Sequence, residues 1–79
     1  MELVLKVYGR SQCHLCQNML DDLNDIRSEY GFSIKYIDID GNSELESLYG
    51  LKVPVLMAEE REICHYTLDF KALKGFLGK

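Results

Sequence analysis

Tryptophan is missing from this chain, proline occurs once and cysteine three times. An odd cysteine count does not suit a secreted scaffold pinned by paired disulfides, so a cytoplasmic protein whose single disulfide is transient is expected. No apolar run approaches the ~20 residues of a membrane span. No basic start followed by an apolar stretch and a small-residue cleavage site marks a secretory signal. Lysine and arginine number 9 against 13 acidic residues, for a net charge of -4, and they are scattered. That balance argues against a surface that binds nucleic acid through phosphates. No repeat, linker or low-complexity segment is visible, and 79 residues suffice for one small domain, residues 1–79. A hydrophobic content of 47% permits a compact core and argues against disorder.

What the chain does have is Cys13-His14-Leu15-Cys16, set between an apolar run, Leu3 to Tyr8, and the start of an amphipathic pattern. Three residues apart on a first helical turn, two thiols lie on one side and can close a disulfide with little backbone movement. The first cysteine sits where unpaired N–H groups and the positive end of the helix dipole favour an anion. Its thiolate, the attacking form, is thereby stabilised. The second lies further into the helix, is more shielded, and suits the resolving role.

The rest of the chain organises around that pair. Glu2 to Tyr8 is expected as a strand with apolar residues on both faces, hence covered on both sides. Met19, Leu20, Leu23, Ile26 and Tyr30 form a helical stripe that Gly31 stops. Ile34 to Ile39 is a second strand, and a right-handed crossover makes it parallel to the first. Ser43 and Glu46 have capping-box spacing and open a short helix that buries Leu45, Leu48 and Tyr49 before ending at Gly50. A third strand starts at Pro54, Glu59 and Glu60 make a hairpin turn, and Arg61 to Tyr66 returns antiparallel. Asp69 caps a last helix with Phe70, Leu73, Phe76 and Leu77 on its apolar face. The order β-α-β-α-β-β-α is α/β, with a four-stranded mixed sheet and helices on both faces. The cysteines fall at the carboxyl end of the first strand, where such folds place their sites.

A Cys-x-x-Cys after the first strand together with Val53-Pro54 opening the third resembles the glutaredoxin-like branch of the thioredoxin superfamily. In particular the chain looks like a group of short bacterial glutaredoxin-like proteins with a Cys-His-Leu-Cys type site. The resemblance spans the whole chain and implies a minimal thioredoxin fold. It implies a cis bond before Pro54, with the backbone of Val53 exposed to pair with a bound thiol substrate. Arg10 stands where glutaredoxins carry a basic residue that helps hold a glutathione carboxylate. The departures are specific. Lys52-Val53-Pro54 replaces the common Thr-Val-Pro. The stretch Cys64-His65-Tyr66-Thr67 has no glycine where glutaredoxins have a Gly-Gly pair against which glutathione lies. The tryptophan and the buried strand carboxylate of thioredoxins are also missing.

The expected activity is thiol–disulfide exchange, with Cys13 attacking and Cys16 resolving. Arg10, His14, Val53 and Pro54 are the candidate substrate-binding residues, and His14 can also tune the Cys13 thiolate. The substrate is a disulfide-containing protein or a low-molecular-weight thiol compound, recharged by a cellular thiol reductant. No tightly bound cofactor and no metal are expected; glutathione is the candidate co-substrate. Neither nucleic acid nor membrane is a partner, and the chain is expected to be a monomer. The competing reading is a non-catalytic interaction module that binds a protein through the Val53-Pro54 edge. A structural zinc site needs four ligands, and His14, Cys64 and His65 are the only additions to the pair. Cluster binding at a dimer normally recruits glutathione. Cys64 is expected in the core and His65 on the opposite face of its strand.

Overall fold

Strand β1 (Leu3–Gly9) alternates: Leu5 and Val7 are wholly buried, while Val4 and Lys6, which precede each of them, are exposed. In the computed structural model, which describes residues 3–78, helix α1 (His14–Tyr30), strand β2 (Phe32–Asp38), helix α2 (Ser43–Tyr49), strands β3 (Val55–Ala58) and β4 (Arg61–His65), and helix α3 (Phe70–Leu77) follow. The sheet runs β2-β1-β3-β4, with β2 parallel to β1 and the other two pairings antiparallel. The chain therefore adopts the α/β order and mixed sheet that its pattern implies. Glu2, the expected first residue of the strand, lies outside the described residues. No helix among the described residues is long and apolar enough to cross a membrane.

The core lies on one face of the sheet. Leu5 and Val7 from β1, Leu56 from β3 and Cys64 from β4 meet Met19 and Leu23 of α1 and Leu73 of α3. Each fully buried Leu or Val contributes about 1.5–3 kcal/mol relative to an exposed one. Helix α1 forms because its stripe fits this face, and it ends at Gly31, whose φ of 73° is the left-handed cap conformation that glycine adopts without a Cβ penalty. Asp69 caps α3 by accepting from the Ala72 N–H at 3.0 Å.

The other face differs from the expectation of a fully covered central strand. Val4 is 42% exposed. Helix α2 has no buried residue, and Leu48 is exposed. With seven residues the helix is too short to span the sheet, so its hold on that face is Tyr49 stacked on Tyr8 at 4.4 Å between ring centroids. Its cap also sits one residue earlier than the capping-box spacing implied. Asn42 accepts from the Leu45 N–H at 3.0 Å, and Glu46 reaches the Gly41 N–H instead. A free Asn side chain caps as well as Ser, so the box spacing alone did not decide the register. Strand β3 begins at Val55, after the proline: the Val53–Pro54 peptide is cis, which turns the chain before the ladder starts. Strand β2 begins at Phe32, directly after the Gly31 cap.

Candidate active site

Cys13 is the N-cap of α1, just outside the helix rather than in its first turn. Its sulfur accepts the Cys16 N–H at 3.1 Å, so the cap bond that a Ser or Asp oxygen makes elsewhere is made here by sulfur. Cys13 is half-buried and Cys16 is 1% exposed. The two are joined as a disulfide with a Cα–Cα distance of 5.1 Å, inside the usual range for such bonds. An accessible sulfur at a helix N-terminus and a shielded one behind it are the arrangement that separates an attacking thiol from a resolving one.

Behind the pair, Gly9 is a packing requirement. A Cβ there would come within 2.5 Å of the Tyr36 hydroxyl and 2.8 Å of the Cys16 sulfur. Tyr36, on β2, donates its hydroxyl to the Arg10 carbonyl at 2.6 Å and fixes the loop that leads into the cysteines. Burial, and then the carboxylates of Asp38 and Asp40, raise the Tyr36 phenol above its ordinary value, so it stays a donor at neutral pH.

The Arg10 side chain is bound to Asp40 and lies 3.5 Å from Glu46, which ties the loop to the start of α2. Those hydrogen bonds and charges raise the guanidinium further above its already high value. Arg10 thus already has two carboxylate partners, and residues 64–67 contain no glycine. His14 is the first residue of α1 and is exposed. Val53 is half-buried and Pro54 buried. The register that pairs Tyr8 with Val55, extended by one step, puts Pro54 beside Gly9 and hence beside the dithiol.

Two groups were not legible as site residues in the sequence. Strand β4 carries an irregularity opposite Leu56 and Met57: Leu56 pairs with Cys64, but Met57 pairs with Glu62. Residues three apart on a regular strand face opposite ways. The extra residue, Ile63, resets that alternation and brings Glu62 and His65 together at 2.7 Å. Lys52 donates to the other Glu62 oxygen at 2.6 Å, and these bonds hold the Glu62 carboxyl below its ordinary value. Tyr66 is the second: its hydroxyl donates to the Leu51 carbonyl at 2.9 Å. Cys64 is in the core and accepts the Asp69 N–H; burial raises its thiol above the ordinary value. Among the described residues no three His, Cys, Asp or Glu side chains are grouped to hold a metal ion.

Comparison with known proteins agrees with this geometry. The family model described as "Glutaredoxin-like domain (DUF836)" matches residues 4–78. The solution structure of protein Ne2328 from Nitrosomonas europaea is 41% identical, with a TM-score of 0.89, covering 96% of this chain and 92% of that one. The X-ray structure of target protein XcR50 from X. campestris is 35% identical, with a TM-score of 0.76, covering 94% and 95%. Thioredoxin 1 from Thermosipho africanus, at 19% identity and a TM-score of 0.61 over 95% and 94%, shares the fold.

Proposed function

Because this chain belongs to the glutaredoxin-like branch of the thioredoxin superfamily, we propose that it is a small dithiol–disulfide oxidoreductase. The observation that carries the reading is the inequality of the two cysteines: Cys13 only half-buried at the N-cap of α1, Cys16 fully buried behind it. In the reduced protein the Cys13 thiolate attacks one sulfur of a substrate disulfide. A Cys13–substrate bond forms, the substrate S–S bond breaks, and one substrate thiolate leaves and takes up a proton. The Cys16 thiol then gives up its proton and attacks the Cys13 sulfur. The Cys13–Cys16 bond forms and the second substrate thiolate departs. Two electrons have passed from the dithiol to the substrate. A thiol reductant restores the pair by the same steps in reverse.

The substrates that fit are a disulfide-bearing protein or a low-molecular-weight disulfide. Arg10 serves the architecture of the loop in this reading, because its charge is already matched by Asp40 and Glu46. In this reading the substrate approaches Cys13 past Val53 and Pro54, with the exposed His14 and Leu15 following Cys13 in the chain.

The test is alkylation of the reduced, folded protein by iodoacetamide, read out by peptide mass spectrometry. Cys13 is expected to react at neutral pH about ten-fold faster than free cysteine, because the thiolate is the reactive form. Cys64, buried with its thiol held neutral, serves as the unreactive internal control. In parallel, Cys13→Ser is expected to abolish reduction of insulin by dithiothreitol above the background rate. Retained activity in Cys13→Ser, or a Cys13 no more reactive than free cysteine, would move the assignment to a non-catalytic binding module.

A further inference from the structure

Tyr66 follows β4 with a φ of 69°, a left-handed conformation rarely taken by a bulky residue. The Thr67 N–H donates to the His65 carbonyl at 2.9 Å. That bond closes a γ-turn of the uncommon, strained hand around Tyr66. Such strain persists only where the surroundings hold it, and it gathers at functional positions. Here two bonds hold it. The Tyr66 N–H donates to the Pro54 carbonyl and its hydroxyl to the Leu51 carbonyl, each at 2.9 Å. Both acceptors belong to the segment that carries the cis bond. The same segment is tied from the side by Lys52 to Glu62.

Between the two tied carbonyls lies Val53. Among the described residues it takes no part in the loop's backbone hydrogen bonds or in the β1–β3 ladder. Its neighbour Pro54 lies, by register, beside Gly9, whose missing side chain leaves room for the Cys16 sulfur. An unpaired backbone edge is therefore held in place next to the dithiol. On its other side stands Leu51, 92% exposed. An extended peptide can add to such an edge as a strand and place its own sulfur against Cys13.

We propose that Tyr66 is a positioning residue for this chemistry: it straps the Leu51–Pro54 segment so that the Val53 edge is preformed for an extended, disulfide-bearing peptide. The proposal rests on the redox reading above. A glycine at this place would relieve the turn but would lack the hydroxyl that bonds the Leu51 carbonyl. Preforming the edge removes an ordering cost from each binding event. The strap therefore acts on a substrate that has a backbone to pair, and leaves a small disulfide unaffected.

The test uses Tyr66→Phe, which removes only the hydroxyl, and Tyr66→Gly, which also relieves the left-handed backbone. Reduction of insulin, with dithiothreitol as the reductant, is compared with the single-turnover reaction of the pre-reduced protein, freed of dithiothreitol, with dithiobis-nitrobenzoate, a small disulfide without a backbone. Both variants are expected to raise KM for insulin about three- to ten-fold, the weight of one lost hydrogen bond. The insulin kcat and the rate with the small disulfide stay near wild type. Amide exchange at residues 52 and 66, whose N–H groups bond to Tyr49 and Pro54, is expected to quicken in Tyr66→Phe. A tyrosine with a merely structural role would lower the melting temperature of Tyr66→Phe and leave KM unmoved, and that result overturns the proposal. Unchanged exchange at both amides overturns it as well, even if the wild type reduces neither disulfide. An inactive wild type whose loop loosens in Tyr66→Phe removes the redox reading and leaves the strap standing.

Discussion

Gly9 is the residue on which the back of the dithiol depends. Its backbone is not in the left-handed region; the constraint is space. A methyl group there meets the Tyr36 hydroxyl and the Cys16 sulfur at under 3 Å, and neither neighbour is a loose surface chain. Gly9→Ala is therefore expected to destabilise the fold by about 1–3 kcal/mol, the usual cost of overpacking. Urea denaturation measures it. The same variant displaces the Tyr36 hydroxyl from the Arg10 carbonyl, so the reactivity of Cys13 toward iodoacetamide should fall with it. Cys64 shows the opposite case: a cysteine whose chemistry is silenced by position. It packs with Leu73 and Leu56 in the core, and an apolar environment penalises its thiolate.

At the scale of elements, the β3–β4 hairpin carries a local conflict between sequence and conformation. Glu59 and Glu60 both have positive φ, 50° and 65°, the backbone of a tight primed turn that Asn-Gly makes without strain. The strands on either side enforce it, because Ala58 pairs with Arg61 directly across the turn. Replacing the two residues by Asn and Gly is expected to stabilise the protein by about 1–2 kcal/mol through relief of left-handed strain. For a domain of this size each kcal/mol raises Tm by about 4–8 °C, which calorimetry detects. Helix α2 is the other element whose setting overrode its pattern. Its apolar residues promised burial, but the helix stops after seven residues. What remains is the Tyr49–Tyr8 stack and the ion pairs from Arg10.

For the whole molecule, the pH dependence of stability has an identifiable contributor in Glu62. Lys52 and His65 bond its carboxylate and lower its folded-state value below the ordinary 4.5. The unfolded chain then binds the proton first as pH falls, so stability rises with pH through this range. The contribution is fully present above the ordinary value and is lost as pH drops through 4.5 toward the depressed one. Glu62→Gln should lower the neutral plateau of a plot of Tm against pH and leave the strongly acid end unchanged, so that the acid limb flattens; the drop is small, since the group is largely exposed and solvent screens it. An acid limb as steep in Glu62→Gln as in wild type would assign the acid loss to the other carboxylates. The Lys52–Glu62 pair joins β4 to the Leu51–Pro54 segment, so acid weakens the loop beside the dithiol as well as the fold.

What the sequence by itself determined about this protein were features whose causes act over a few residues. The apolar stripe of α1, its stop at Gly31, the Asp69 cap and the placing of Cys13 and Cys16 at a strand-to-helix junction all follow from periodicity, capping bonds and φ preference. With them came the element order, and with that the fold. The tertiary structure alone decided which distant groups meet. Arg10 finds Asp40 thirty residues away, and Tyr36 finds the Arg10 carbonyl across twenty-six. Glu62 meets His65 only because one extra residue in β4 resets which side chains share a face. Tyr66 straps the proline loop only because the chain around it holds a backbone conformation that no residue-type preference announces. Register and strained turns are set by the packing of whole elements, and a pattern read along the chain carries no term for either.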